Sequence, residues 1–225
     1  MMKKIFSIFF SEQILGYKSN WKEAWNIRSF RLQIISAFVT LLIIASLIPI
    51  FFNHIQSVSG YSFNDFILNE LEPQDLSLYI FLLIYSAILL SSIHIVASPF
   101  LLLKFFQGYA LLLIVRIFCI YLVPLEPEKA MIPLKDPFVG RLFYNNIIIT
   151  KDLFFSGHVS TMSLFVFIVP FRPLKYFLIV TTCLVAFLIL VQHVHYTIDV
   201  LAAPIFAWLC FFVADHFSHN ISKFS

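Results

Sequence analysis

Four residues have types and spacings suited to chemistry: Arg116, His158, His195 and Asp199. Each lies within, or at the start of, a stretch that is otherwise almost wholly apolar. An ionisable side chain in such a stretch is costly, and it is a functional candidate by default. The four-residue spacing of His195 and Asp199 puts them on one helix face, where the carboxylate can orient the imidazole and stabilise its charged form. Guanidinium stays charged and grips phosphate oxygens two at a time. Arg116 therefore reads as a phosphate clamp, the bland alternative being an ion pair with Asp199. Ser156 and Gly157 precede His158. The chain has only 5 glycines. One placed between Ser and His lets backbone come close to a ligand, and the free N–H groups of a helix start favour an anion. Ser156 reads either as a donor to a phosphate oxygen or as a helix cap. Asp152 reads as a cap or as an ion-pair partner in a loop.

Helices must position these residues, and composition says in which solvent. Hydrophobic residues make up 60% of the chain and charged residues 12%, against roughly 25% charged in a soluble domain. One soluble core of this length could not hide so much apolar surface. The expected fold is an all-α polytopic membrane bundle of six transmembrane helices, with an N-terminal interfacial segment. A span needs about 20 apolar residues, and the candidates are 32–52, 77–97, 99–123, 153–171, 174–193 and 194–214. Residues 174–214 as one helix would reach about 60 Å, twice the hydrocarbon thickness. The chain must therefore turn, and the polar patch Gln192, His193, His195, Tyr196 and Thr197 is where it can do so. Residues 1–31 are expected to form a retained cytoplasmic or interfacial segment with Trp21 and Trp25 at headgroup level. Residues 32–217 are then the membrane domain and 218–225 a short tail.

Basic residues set the expected orientation. Lys3, Lys4, Lys18, Lys22, Arg28 and Arg31 crowd the N-terminal segment. The loop after the first span has Asp65, Glu70, Glu72 and Asp75 and no Lys or Arg. Both termini are thus expected in the cytoplasm, with the four candidate residues at one depth near the opposite face. Lys104, near the cytoplasmic end of the third span, is expected to snorkel to water. Cys119, Cys183 and Cys210 sit in apolar runs and read as small hydrophobes. Net charge is +3, with the basic residues dispersed, and this argues against nucleic acid. His193 and His195 lack a third ligand at metal spacing, so neither a metal nor another cofactor is expected.

Asp152, Phe155, Ser156, Gly157 and His158, followed by His195, Tyr196, Thr197, Asp199 and Val200, resemble paired motifs of the type-2 phosphatidic acid phosphatase superfamily. The closer resemblance is to the branch containing sphingomyelin synthases. Arg116 with Tyr121 and the stretch Pro124–Leu125–Glu126–Pro127 is similar to that branch's arginine motif. Met131 to Phe138 resembles bacterial members. The likeness covers roughly residues 100–215. The chain departs from the phosphatase pattern, with Ile189 where an arginine is usual. Thr150–Lys151 stand where the synthases have Cys-Gly, so choline specificity does not carry over.

The resemblance implies a six-span fold and metal-independent transfer of a phospho-headgroup through a phosphohistidine. In that reading His195 is the nucleophile, Asp199 orients it, and His158 is general acid and then base. Arg116, Ser156 and Gly157 hold the phosphate. The partners implied are a membrane phospholipid donor and a lipid alcohol or water as acceptor. A homo-oligomer stays open, as does a lipid transporter using the same polar set. The short loops and bacterial-type stretch point to a bacterial inner membrane, with the site on the periplasmic or exoplasmic side.

Overall fold

Continuous apolar runs bounded by Pro and by polar clusters become helices, because in lipid each backbone N–H and C=O must be satisfied within the segment. A computed structural model describes residues 21–136 and 149–222. A short helical stretch over 21–26 leads into α1 (Arg28–Ser57). There follow α2 (Phe66–Asn69), α3 (Ser77–Ala97), α4 (Pro99–Leu122), α5 (Gly157–Ile168), α6 (Arg172–Val191) and α7 (Thr197–Ser222). Among the described residues five helices (α1, α3, α4, α6 and α7) are long and apolar enough to cross a membrane. Residues such as Leu42, Ile50, Leu82, Phe118 and Phe212 point outward and are exposed. So wide an apolar exterior is compatible with lipid and not with water. The chain is a helical membrane bundle.

The fourth expected span differs from the rest. Residues 153–171 were expected to be helical, yet α5 has 12 residues, about 18 Å of helix against about 30 Å of hydrocarbon. The reason lies at its ends. Residues 153–156 stay non-helical because Phe155 stacks flat on Phe206 of α7, centroids 4.4 Å apart, and the Ser156 N–H donates to the Asp199 carbonyl. Pro170 and Pro173 stop the other end. This short helix is central, packed on α3, α4, α6 and α7, and it can be short because its neighbours cover it.

The chain turns between α6 and α7 over 192–196, as the length argument required. His193 takes a left-handed backbone, φ 56°, which is uncommon outside glycine. Its Nε2 lies 3.0 Å from the Leu71 carbonyl. Gln192 is fully buried, accepting from the Leu76 N–H and donating to Ser77 Oγ. The turn is thus tied to the start of α3.

A second set of ties fixes the loop after α1. Tyr61 and Leu125 form a parallel β-bridge. A side chain at Gly60 would put its Cβ 2.6 Å from the Leu125 carbonyl carbon, so only glycine fits. Lys151 Nζ donates to Glu126 and to the Val58 carbonyl. The Lys151 ammonium and the Gly60 N–H hold the Glu126 carboxyl below its ordinary range. Asp65 caps α2 and also accepts the Thr197 N–H and hydroxyl at the start of α7.

At the other end of the bundle, Lys104 keeps 25% of its side chain exposed. It pairs with Asp215 of α7 at 2.5 Å, because α7 runs far enough past residue 214 to bring that carboxylate alongside α4. Residues 1–20 of the expected interfacial segment lie outside the described residues. Trp21 and Trp25 pack edge-on against Phe30.

Candidate functional site

Arg116 sits in the last third of α4 with 8% of its surface exposed. A guanidinium so buried must have its donors satisfied. Its Nε donates to the Phe155 carbonyl at 2.9 Å, and Nη2 pairs with Asp152 at 2.5 Å. The alternative of a structural pair with Asp199 is therefore replaced by one with Asp152. That carboxylate is nearer because the non-helical stretch before α5 lies across α4.

The guanidinium lies flat over the start of α5. A Cβ on Gly157 would fall 2.7 Å from Arg116 Cζ and 3.0 Å from both terminal nitrogens. Gly157 is thus required for the close approach. We expect Gly157→Ala to push a pinned guanidinium aside and lower turnover about 100-fold, the scale for a 1 Å misplacement. Its melting temperature should stay within a few degrees of wild type, since Ala suits a helix start. Unchanged turnover in that variant would refute the requirement.

His158 stands in the first turn of α5, not a turn and a half into a span, because the helix begins only at Gly157. Its ring meets Phe81 edge-on at 6.0 Å. It lies within electrostatic reach of His195, Asp152, Arg116 and Asp136. Arg116, Asp152, Gly157 and His158 open onto one cavity of about 300 Å³, together with Tyr85 and Asp136. The Tyr85 hydroxyl donates to Asp136 at 2.8 Å. The rest of the wall is mainly apolar, with Ile48, Phe52, Ile84, Ile88, Leu112 and Phe165. One end of the cavity is charged and the other is oily.

His195 and Asp199 do not line that cavity; they stand deeper, 3% and 0% exposed. The last span was expected to include His195, but α7 begins at Thr197, so the histidine sits in the turn before it. The two still face each other, Nδ1 to Oδ2, at 3.5 Å. Asp199 Oδ2 also accepts the Tyr196 N–H at 3.0 Å, a reach back over the helix start that fixes the carboxylate. Ser156 is fully buried and makes no capping bond, which removes the cap role. It does not line the cavity either. Ser156 Oγ, His195 Nδ1 and Asp199 Oδ1 are all buried without a hydrogen-bond partner among the described residues. Buried polar groups left so are expensive, and three at the α5–α7 junction are not accounted for by packing.

Among the described residues no cluster of three or more His, Cys, Asp or Glu could hold a metal ion. Two residues of the site were given no chemical role by sequence reasoning, Tyr85 and Asp136. Tyr85 has no signal in a run of apolar residues. Asp136 sits in the stretch Met131 to Phe138, of which Pro137 and Phe138 lie outside the described residues.

Residues 151–217 match the family model described as PAP2 superfamily C-terminal. That stretch carries Asp152, Ser156, Gly157, His158, His195 and Asp199, and the match supports kinship with the PAP2 superfamily over it. No curated protein and no solved structure matches the chain.

Proposed function

We propose that this chain is a membrane lipid phosphotransferase that moves a phospho-headgroup from a phospholipid to a lipid alcohol through a phosphohistidine. The observation that carries this reading is the Arg116 guanidinium laid over Gly157, beside His158, at the charged end of an otherwise apolar cavity. A lipid phosphate has that polarity. Kinship with the PAP2 superfamily over 151–217 supports a lipid phosphatase or phosphotransferase type of function.

With Nδ1 turned to Asp199, Nε2 is the nitrogen of His195 left for phosphorus. Its lone pair forms the N–P bond while the P–O bond to the leaving alcohol breaks. His158 gives that alcohol its proton. The acceptor hydroxyl then loses its proton to His158 and forms a new P–O bond, freeing His195. Asp199 offsets the charge on the ring. Arg116 and the free N–H groups opening α5 hold the non-bridging oxygens. The acidic first loop, Asp65 to Asp75 without a Lys or Arg, supports a site facing away from the cytoplasm, and we assign the chain to a bacterial inner membrane.

Water in place of the lipid alcohol gives hydrolysis, the second reading, which the PAP2 kinship favours. The test is purified protein in vesicles containing headgroup-labelled phospholipid, with and without diacylglycerol or ceramide. Label on the added alcohol supports transfer, and label released to water supports hydrolysis. No product from either, with lipid flux across the vesicle, would make the chain a transporter instead.

A further inference from the structure

The cavity continues well past the phosphate-handling end. From Gly157 to Phe165 along α5 is eight residues, about 12 Å at 1.5 Å per residue. Beyond Thr161, whose hydroxyl donates to the Gly157 carbonyl at 2.8 Å, the lining is mainly apolar. Nothing polar gains by descending further.

The sides and the floor are built differently. Ile48 and Phe52 of α1 face Ile84 and Ile88 of α3 across the cavity, and α1 packs on α4 without packing closely on α3. The floor is rigid. Phe165 and Tyr109 both line the cavity, and both rings stack nearly parallel on Phe105, at 5.2 Å and 10° and at 5.5 Å and 8°. Phe165 is 3% exposed and packed in the core. A side is deformable where two helices do not pack closely, whereas a three-ring stack held by α4 and α5 is not.

We propose that the cavity measures one alkyl chain of the lipid, with the Phe165–Phe105–Tyr109 stack as the stop that sets the longest chain held fully inside. This rests on the reading of Arg116 and His158 as the phosphate end, which fixes where the chain begins. The chain enters between α1 and α3, and its terminal carbons meet the aromatic floor.

The test uses straight-chain monoalkyl phosphates of increasing length as probes of the full-length protein in detergent, with thermal protection as the readout. Ligand binding to the folded state raises the melting temperature with affinity. Protection of the wild type should climb with chain length and then break. Phe165→Ala should move the break to longer chains, with about tenfold tighter apparent binding of the longest probe, the scale of an added hydrophobic subsite. Ile88→Trp, which fills the cavity from a partly buried position on its wall, should move it to shorter ones. A rise without a break, or a break that neither substitution moves, overturns the ruler and leaves the phosphate site standing. Absence of protection by every probe overturns the phosphate site and the ruler together.

Discussion

His195→Ala is expected to reduce headgroup release from labelled phospholipid by at least about 10⁴-fold, the scale seen when one member of a nucleophile–base unit is removed. The loss is large because, in the proposed mechanism, His195 forms the N–P bond. The deeper position of His195, 3% exposed and 3.5 Å from Asp199, suits a nucleophile whose ring must be held in one orientation. It also supplies a sharper check than activity. Brief exposure to labelled substrate followed by denaturation should leave acid-labile phosphate on the wild type, and none on His195→Ala. His158→Ala should acquire label more slowly and hold it longer, because His158 protonates the leaving alcohol in the first half of the proposed cycle and takes the acceptor's proton in the second. Asp199→Asn keeps an acceptor for the Tyr196 N–H and should slow labelling without unfolding the protein. Full turnover by His195→Ala, or equal labelling of it, would remove the histidine from the mechanism.

Arg116→Lys carries the second large effect, a fall in turnover of about 10² to 10³-fold, the range for removing one preorganised donor from a developing oxyanion. Lysine keeps the charge but loses the planar fork, so the bonds to Phe155 and Asp152 cannot both be rebuilt over Gly157. The difficulty is that Arg116 also has a structural job. Asp152→Asn separates the two jobs, since it removes the pair's carboxylate charge and leaves the guanidinium in place. If Arg116 holds phosphate, Arg116→Lys should lose at least about tenfold more activity than Asp152→Asn at similar melting temperature. Equal losses would reduce Arg116 to a partner of Asp152.

The way these residues meet explains what could be read in advance. Helix positions were legible because lipid imposes one rule on every segment, and Pro99, Pro170 and Pro173 mark the breaks. Length required a turn between α6 and α7, and the polar patch from Gln192 to Thr197 marked its place. The short α5 was not legible. Residues 153–156 are apolar enough for a helix, and only the stacking of Phe155 on Phe206 and the bond from Ser156 to Asp199 hold them out of one. Those contacts join positions more than forty residues apart.

The site divides along the same line. Residue type and spacing marked Arg116, Gly157, His158, His195 and Asp199, because charge inside an apolar run is costly wherever the run packs. Spacing also set His195 opposite Asp199, since that relation is local. The partner of Arg116 depended on where a loop crosses a helix, and so did the burial of Ser156 and the separation of His195 from the cavity wall. So did the Asp65 cap on Thr197, in a loop whose acidity gave only orientation. The sequence by itself determined the solvent, most of the helices and the candidate residues. Tertiary structure alone decided which of them share a surface, because packing acts between distant positions and no local pattern encodes it.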